Sequence, residues 1–168
     1  VGAVRKAGNS FPSKWPIRER KALGSTLVPE HGRPEGLKGY HGPMIVALGA
    51  DLVEIARVER LLSRHGERAL RRLFHEEEVA YALARQNPFP SLAARLAAKE
   101  AFQKCWPESL SWKEVWVGME GKRPALRFAP RIEARMAEEG LFAHLSLSHE
   151  RSHALAVVVL EARARGGG

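Results

Sequence analysis

The sequence predicts an α+β fold, a small antiparallel sheet with packed helices in a single domain. Three observations predict it. From Met44 onward the periods of apolar residues alternate between helix and strand in the order β-α-α-α-β-β-α-β-β, with most strands grouped late. A hydrophobic content of 45% is that of a chain able to bury a core. No internal repeat interrupts the pattern, and 168 residues suit one domain with room for a tail.

The elements follow in order. "MIVALGA" is a short apolar run ending in glycine and reads as a buried strand. "DLVEIARVERLLSRHG" has a helical period and closes at Gly66, a candidate C-cap. "ERALRRLF" and "HEEEVAYALARQ" are further helical pieces, stopped by Asn87 and Pro88. "SLAARLAAKEAFQKCW" is the longest helix, with Ser91 as the expected N-cap and Pro107 beyond its end. "EVWVGMEGKRPALRF" places two strand-like arms around a Gly-Lys turn. "RIEARMAEEG" is a short helix, and "HLSLSH" with "HALAVVVLE" forms a closing hairpin.

Residues 1–43 behave differently. They hold five of the ten prolines and seven of the fifteen glycines. Neither helical nor strand period is sustained, so a disordered extension is expected there. Met44 reads as the start of the folded part, residues 44–162 as the domain, and 163–168 as a frayed tail. The net charge of +8 is unevenly spread: eight Lys or Arg and three Glu lie in 1–43, leaving only +3 for the remainder. The pI of 10.1 therefore argues only weakly for nucleic acid. One cysteine, Cys105, excludes an intramolecular disulfide and points to a reducing compartment, the cytoplasm. No apolar run reaches the length of a membrane span.

Several residues could carry chemistry, each with a plainer alternative. Asp51 follows an apolar strand and a glycine, a good place for an acidic ligand, but Asp is also a favoured N-cap. Glu100 and Lys104 share a helix face. As an exposed pair they would add about 0.2–0.5 kcal/mol to the helix. Alanines 93, 94, 97, 98 and 101, however, let other backbone come close to this helix. Arg57, Arg60 and Arg64 form a basic stripe that Arg68 and Arg71 would extend if Gly66 did not intervene. The stripe suits an acidic partner, or a solvated face balanced by Glu54, Glu59 and Glu67. His149 ends a strand ahead of a turn, where a histidine can be structural or functional. Cys105 has no companions at zinc spacing. No Walker loop, dinucleotide fingerprint or nucleophile elbow is present.

Together the segments resemble a known family, the holo-acyl-carrier-protein synthases, small phosphopantetheinyl transferases. "GADLVEIARVERLL" looks like the family's opening strand, acidic residue and first helix. "RRLFHEEEVAY" is similar to its F-T-x-x-E-x-x-Y segment. "RLAAKEAFQK" is close to its F-A-A-K-E-A-F-x-K helix, the most specific of the motifs. "LSWKEVWVGMEGKRPAL" and "HLSLSHE" match its hairpin and its closing S-H strand. The resemblance implies the single-copy transferase fold. It also implies transfer of the phosphopantetheine arm of coenzyme A to a serine of acyl carrier protein, with release of adenosine 3′,5′-bisphosphate, in fatty acid biosynthesis.

Carried over residue by residue, Asp51 and Glu100 fall on the metal-binding positions. Lys104 falls on the lysine associated with the substrate phosphates, and His149 on the histidine near the nucleotide. The implied metal is Mg²⁺, with Mn²⁺ as the alternative. The serine proton would pass to Glu100 or to a water on the metal next to it. Arg57, Arg60 and Arg64 would meet the acidic carrier protein. A single copy would complete its site across a subunit interface, so a homotrimer is expected. The chain departs from the family at His75, at Leu96, and in "CWPES" after Lys104, where the family has small residues and a Gly-Thr-Gly loop. Two other readings are a basic nucleic-acid-binding module and a transferase serving polyketide or peptide synthase carrier domains.

Overall fold

The computed structural model describes residues 42–163. Its elements are β1 (Met44–Glu54), α1 (Ile55–Leu73), α2 (Glu76–Leu83), α3 (Phe89–Cys105), β2 (Val115–Glu120), β3 (Arg123–Phe128), α4 (Pro130–Glu139), β4 (Leu141–His149) and β5 (His153–Ala162). The order is the expected one, and the fold is α+β. Residues 1–41 and 164–168 lie outside the described residues. The extension and tail expected from the sequence therefore lie almost wholly outside them too.

All strand pairing is antiparallel, and it divides into two sheets. One has the order β1-β5-β4; the other is the β2-β3 hairpin alone. In β5 the side chains of Ala154, Ala156, Val158 and Leu160 are fully buried, and they alternate with outward neighbours as a one-sided strand requires. Helix α3 lies across that buried face. Every residue from Leu92 to Lys99 is buried, which marks a helix surrounded by protein rather than one with a solvent face.

The alanines on α3 explain the close packing. Ala93, Ala97, Ala98 and Ala101 are fully buried, and Ala94 is nearly so. Opposite them stands Gly49 of β1, where a Cβ would lie 2.1 Å from the Ala101 carbonyl oxygen and 2.9 Å from Cys105 Sγ. Strand and helix backbones are in direct contact there, and only glycine fits.

Three local expectations are corrected. The first helix does not begin at Asp51: β1 runs on to Glu54, because Asp51 to Glu54 all pair with β5. A sheet ladder with a strand from the far end of the chain outweighs the local N-cap signal. Second, Gly66 does part α1 into the two helical pieces expected, but as a kink with φ 52° and ψ −139°, open to glycine, and not as a left-handed C-cap. Third, Ser91 lies inside α3; the helix starts at Phe89, whose N–H donates to Asn87 Oδ1 (3.1 Å). His75, where the family pattern has threonine, still caps α2: it forms a capping box with Glu78 and stacks on Trp116 at 4.1 Å.

Candidate active site

Asp51 sits in the interior of β1, opposite Ala156 of β5. Cross-strand partners share a sheet face, so its carboxylate points to the side that α3 covers. Lys104, on the last turn of α3, reaches it: Nζ donates to Asp51 Oδ1 (2.8 Å) and to the Ala50 carbonyl (2.5 Å). Glu100 lies one turn earlier on the same helix and is half-buried. Its carboxyl is held above the usual range, first by burial and then by the negative charge of Asp51, while Arg57 and Lys104 pull it down. No hydrogen bond contributes to that shift. Strand, helix and Gly49 contact thus bring Asp51, Glu100 and Lys104 together, with Arg57 of α1 close enough to act on Glu100.

Two carboxylates brought together from a strand and a helix, with no hydrogen bond settling Glu100, are a donor set suited to a hard divalent cation. Among the described residues no third His, Cys, Asp or Glu joins them as a cage. A bound ion would therefore complete its shell with substrate oxygens and water, as Mg²⁺ usually does.

His149 lies at the end of β4, opposite Ala154 of β5. It shares the sheet face of Asp51 but stands two strands over and two residues along, roughly 12 Å away at ordinary strand spacings. It borders a separate cleft of about 400 Å³ lined by Tyr81, Arg85, Arg95, Lys122 and Leu147, among others. Arg95 is the unusual member. It is 4% exposed, its Nη1 donates to Ser91 Oγ (2.7 Å) and to the Ser91 carbonyl (3.2 Å), and its guanidinium lies 4.0 Å over the Tyr81 ring. Its Nε is buried without a hydrogen-bond partner. Burial pushes its pKa down, opposed by Glu78 and Tyr81. Arg95 borders this cleft together with Arg85, Lys122 and His149, a basic lining able to receive an anion.

Sequence reasoning missed this cleft. Arg95 opens the "RLAAKEAFQK" stretch and passes there for a surface charge; the run of apolar residues on every side of it was the available signal. The stripe Arg57, Arg60 and Arg64 is exposed on α1, with Arg60 held to Glu54 at 3.3 Å. Beyond Gly66, Arg71 pairs with Glu67 on its own segment. The "CWPES" departure closes on itself. Trp106 is buried and stacks on Phe102 at 5.4 Å, while the Gln103 side chain bridges the Glu108 carbonyl (2.7 Å) and the Leu110 N–H (2.9 Å).

The family model of the 4′-phosphopantetheinyl transferase superfamily matches residues 47–158, and the chain belongs to that superfamily. A holo-[acyl-carrier-protein] synthase of Deinococcus radiodurans is 53% identical over 126 residues, which span 70% of this chain and 94% of the relative. Among solved structures, a holo-[acyl-carrier-protein] synthase from Neisseria meningitidis superposes with a TM-score of 0.64 at 30% identity, covering 70% of this chain and 98% of its own. One from Bacillus anthracis, in complex with CoA (3′,5′-ADP), gives a TM-score of 0.58 at 28% identity over 71% and 98%. Within the superfamily this enzyme groups with the holo-[acyl-carrier-protein] synthases.

Proposed function

We propose that the protein transfers 4′-phosphopantetheine from coenzyme A to a serine of acyl carrier protein in a Mg²⁺-dependent reaction of fatty acid biosynthesis. The observation that carries this is the meeting of Asp51, Glu100 and Lys104 from a strand and a helix far apart in sequence. Asp51 and Glu100 would hold the ion. When bound, it would polarise the pyrophosphate and offset charge building on the transferred phosphoryl group. Lys104 would leave Asp51 for the phosphate oxygens, where a flexible point cation stabilises the leaving group.

The serine oxygen forms a bond to the phosphorus that carries the pantetheine arm. The pyrophosphate link breaks, and adenosine 3′,5′-bisphosphate departs. Glu100, or a water next to it, would take the serine proton. Arg95, Arg85, Lys122 and His149 would receive the phosphorylated adenosine end. That end lies several bonds from the reacting phosphorus, in keeping with the separation between His149 and Asp51. Arg57, Arg60 and Arg64 offer the acidic carrier a basic face whose contribution should weaken with salt.

The outer face of the three-stranded sheet supports assembly into a homotrimer. Leu48 and Leu52 remain 63% and 61% exposed there, beside Leu155 at 39%. Leu52 and Leu155 are cross-strand neighbours and Leu48 lies further along the same open face, which makes an interface-like patch. Among the described residues no helix is long and apolar enough to cross a membrane. We place the reaction in the cytoplasm, where the lone Cys105 stays reduced.

Chromatography of the nucleotide product tests the reaction. With apo acyl carrier protein, coenzyme A and Mg²⁺, adenosine 3′,5′-bisphosphate should appear in step with carrier modified. It should not appear with EDTA or without carrier. No nucleotide release with any of several carrier proteins would overturn the proposal.

A further inference from the structure

Glu78 and Lys99 are buried, charged, and unused by the reaction. Glu78 is 0% exposed and Lys99 5%. Their ion pair, Nζ to Oε2 at 2.7 Å, is fully satisfied. The Lys99 ammonium also donates to the Leu73 carbonyl (3.0 Å) and the Trp112 carbonyl (2.5 Å), which accounts for its three protons. Glu78 Oε2 accepts from the His75 N–H (2.9 Å), and Oε1 accepts from the Val117 N–H (2.9 Å). One pair thereby ties together the end of α1, the start of α2, α3, the segment before β2, and β2 itself.

A buried ion pair is a poor way to gain stability, because desolvation of both charges cancels most of their attraction. What it supplies is direction. Five hydrogen bonds at fixed angles, four of them to backbone groups and three of those in other segments, fix both the rotation of α3 about its axis and its height. Lys99 immediately precedes Glu100 on that helix. A helix advances by about 100° and 1.5 Å per residue, so whatever pins Lys99 also sets where the Glu100 carboxylate points. One turn further, the same setting decides whether Lys104 reaches Asp51.

We propose that Glu78 and Lys99 are positioning residues for the reaction, which aim Glu100 at Asp51 through the backbone of α3. The inference rests on the reading that Asp51 and Glu100 hold a divalent ion. It accounts for a fully bonded charge pair buried beside the Phe74 ring, 5.7 Å from the ammonium.

The test uses the full chain and the paired variant Glu78→Gln/Lys99→Met, which removes both charges at nearly constant volume. Circular dichroism and thermal unfolding report the fold. Calorimetric titration with Mn²⁺ in the presence of coenzyme A reports ion affinity, and steady-state kinetics separate kcat from KM. A folded double variant should lose about tenfold or more in both Mn²⁺ affinity and kcat, the range usual for groups that support a metal site. Its KM for carrier protein should stay within twofold of wild type, because docking occurs on α1.

Lys99→Arg provides a second arm. It keeps the charge paired but lengthens the link, and should show the same split between kcat and KM. Wild-type affinity and kcat in either folded variant would overturn the proposal and leave the pair a role in folding alone. Absence of Mn²⁺ binding by the wild-type enzyme would overturn both this inference and the ion-binding reading, so the two failures are distinguishable.

Discussion

Gly49→Ala should unseat the strand that carries Asp51 from the helix that carries Glu100. The added Cβ would stand 2.1 Å from the Ala101 carbonyl oxygen, 3.0 Å from its carbon and 2.9 Å from Cys105 Sγ. Carbon and oxygen in contact need about 3.5 Å, so the backbones must part by roughly 1 Å. The first obstacle is backbone, so no rotamer change relieves it. Overpacking of this kind costs about 1–3 kcal/mol. For a domain near 120 residues that is roughly 4–12 °C in Tm. A displacement of about 1 Å at reacting groups costs on the order of 100-fold in rate. Scanning calorimetry and initial rates of carrier modification measure the two effects on one preparation. An unchanged Tm with turnover within twofold of wild type would refute the argument that direct backbone contact builds the site.

Other expectations follow from single side chains. Lys104→Met should lose turnover yet bind Mn²⁺ more tightly, by up to about fivefold, because the ammonium on Asp51 no longer competes; weaker binding in the titration would contradict this. Glu114 is held down to about 2, chiefly by its hydrogen bonds from Arg131 and the Ser111 N–H. Its folded pKa lies below the unfolded value of about 4.3. Its contribution is therefore present above pH 4.3 and is lost as pH falls toward 2, so Glu114→Gln should flatten the fall of Tm over that interval. Burial pushes the Cys105 thiol up to about 11, so Ellman's reagent at pH 8 should label it only after unfolding. Leu52→Lys should convert a trimer to monomers in light scattering while leaving the circular dichroism spectrum intact; a persistent trimer would count against the proposed interface.

The order of elements was legible because each is punctuated locally. Gly66, the Asn87-Pro88 stop, the Gly121 turn and Gly140 all fall where apolar periods change. The alanines of α3 correctly signalled a close approach, although nothing in the sequence names Gly49 as the residue that makes it. Asp51 was readable as an acid at a strand, but local capping preference suggested a helix start where pairing with β5 prolongs the strand. Ser91 failed for a similar reason, since Asn87 offers its side chain one turn earlier.

Charged strings hid the most. Glu78 within "HEEEV" and Lys99 within "AAKEA" look like solvated positions, and each is buried because its counter-charge arrives from a different element. Arg95 was hidden the same way. Burial of a charge depends on a distant partner, which periodicity does not encode. The division into two sheets is equally nonlocal, since both hairpins have similar strand patterns.

Intact-mass spectrometry of apo acyl carrier protein tests the central claim most directly, using wild-type enzyme beside Asp51→Ala and Glu100→Ala, each with coenzyme A and Mg²⁺ or EDTA. The carrier should gain the mass of one phosphopantetheine with wild type and Mg²⁺, and gain none with EDTA or with either folded variant. Full modification by a variant lacking one of the two carboxylates would contradict the assignment of Asp51 and Glu100 as the heart of the site.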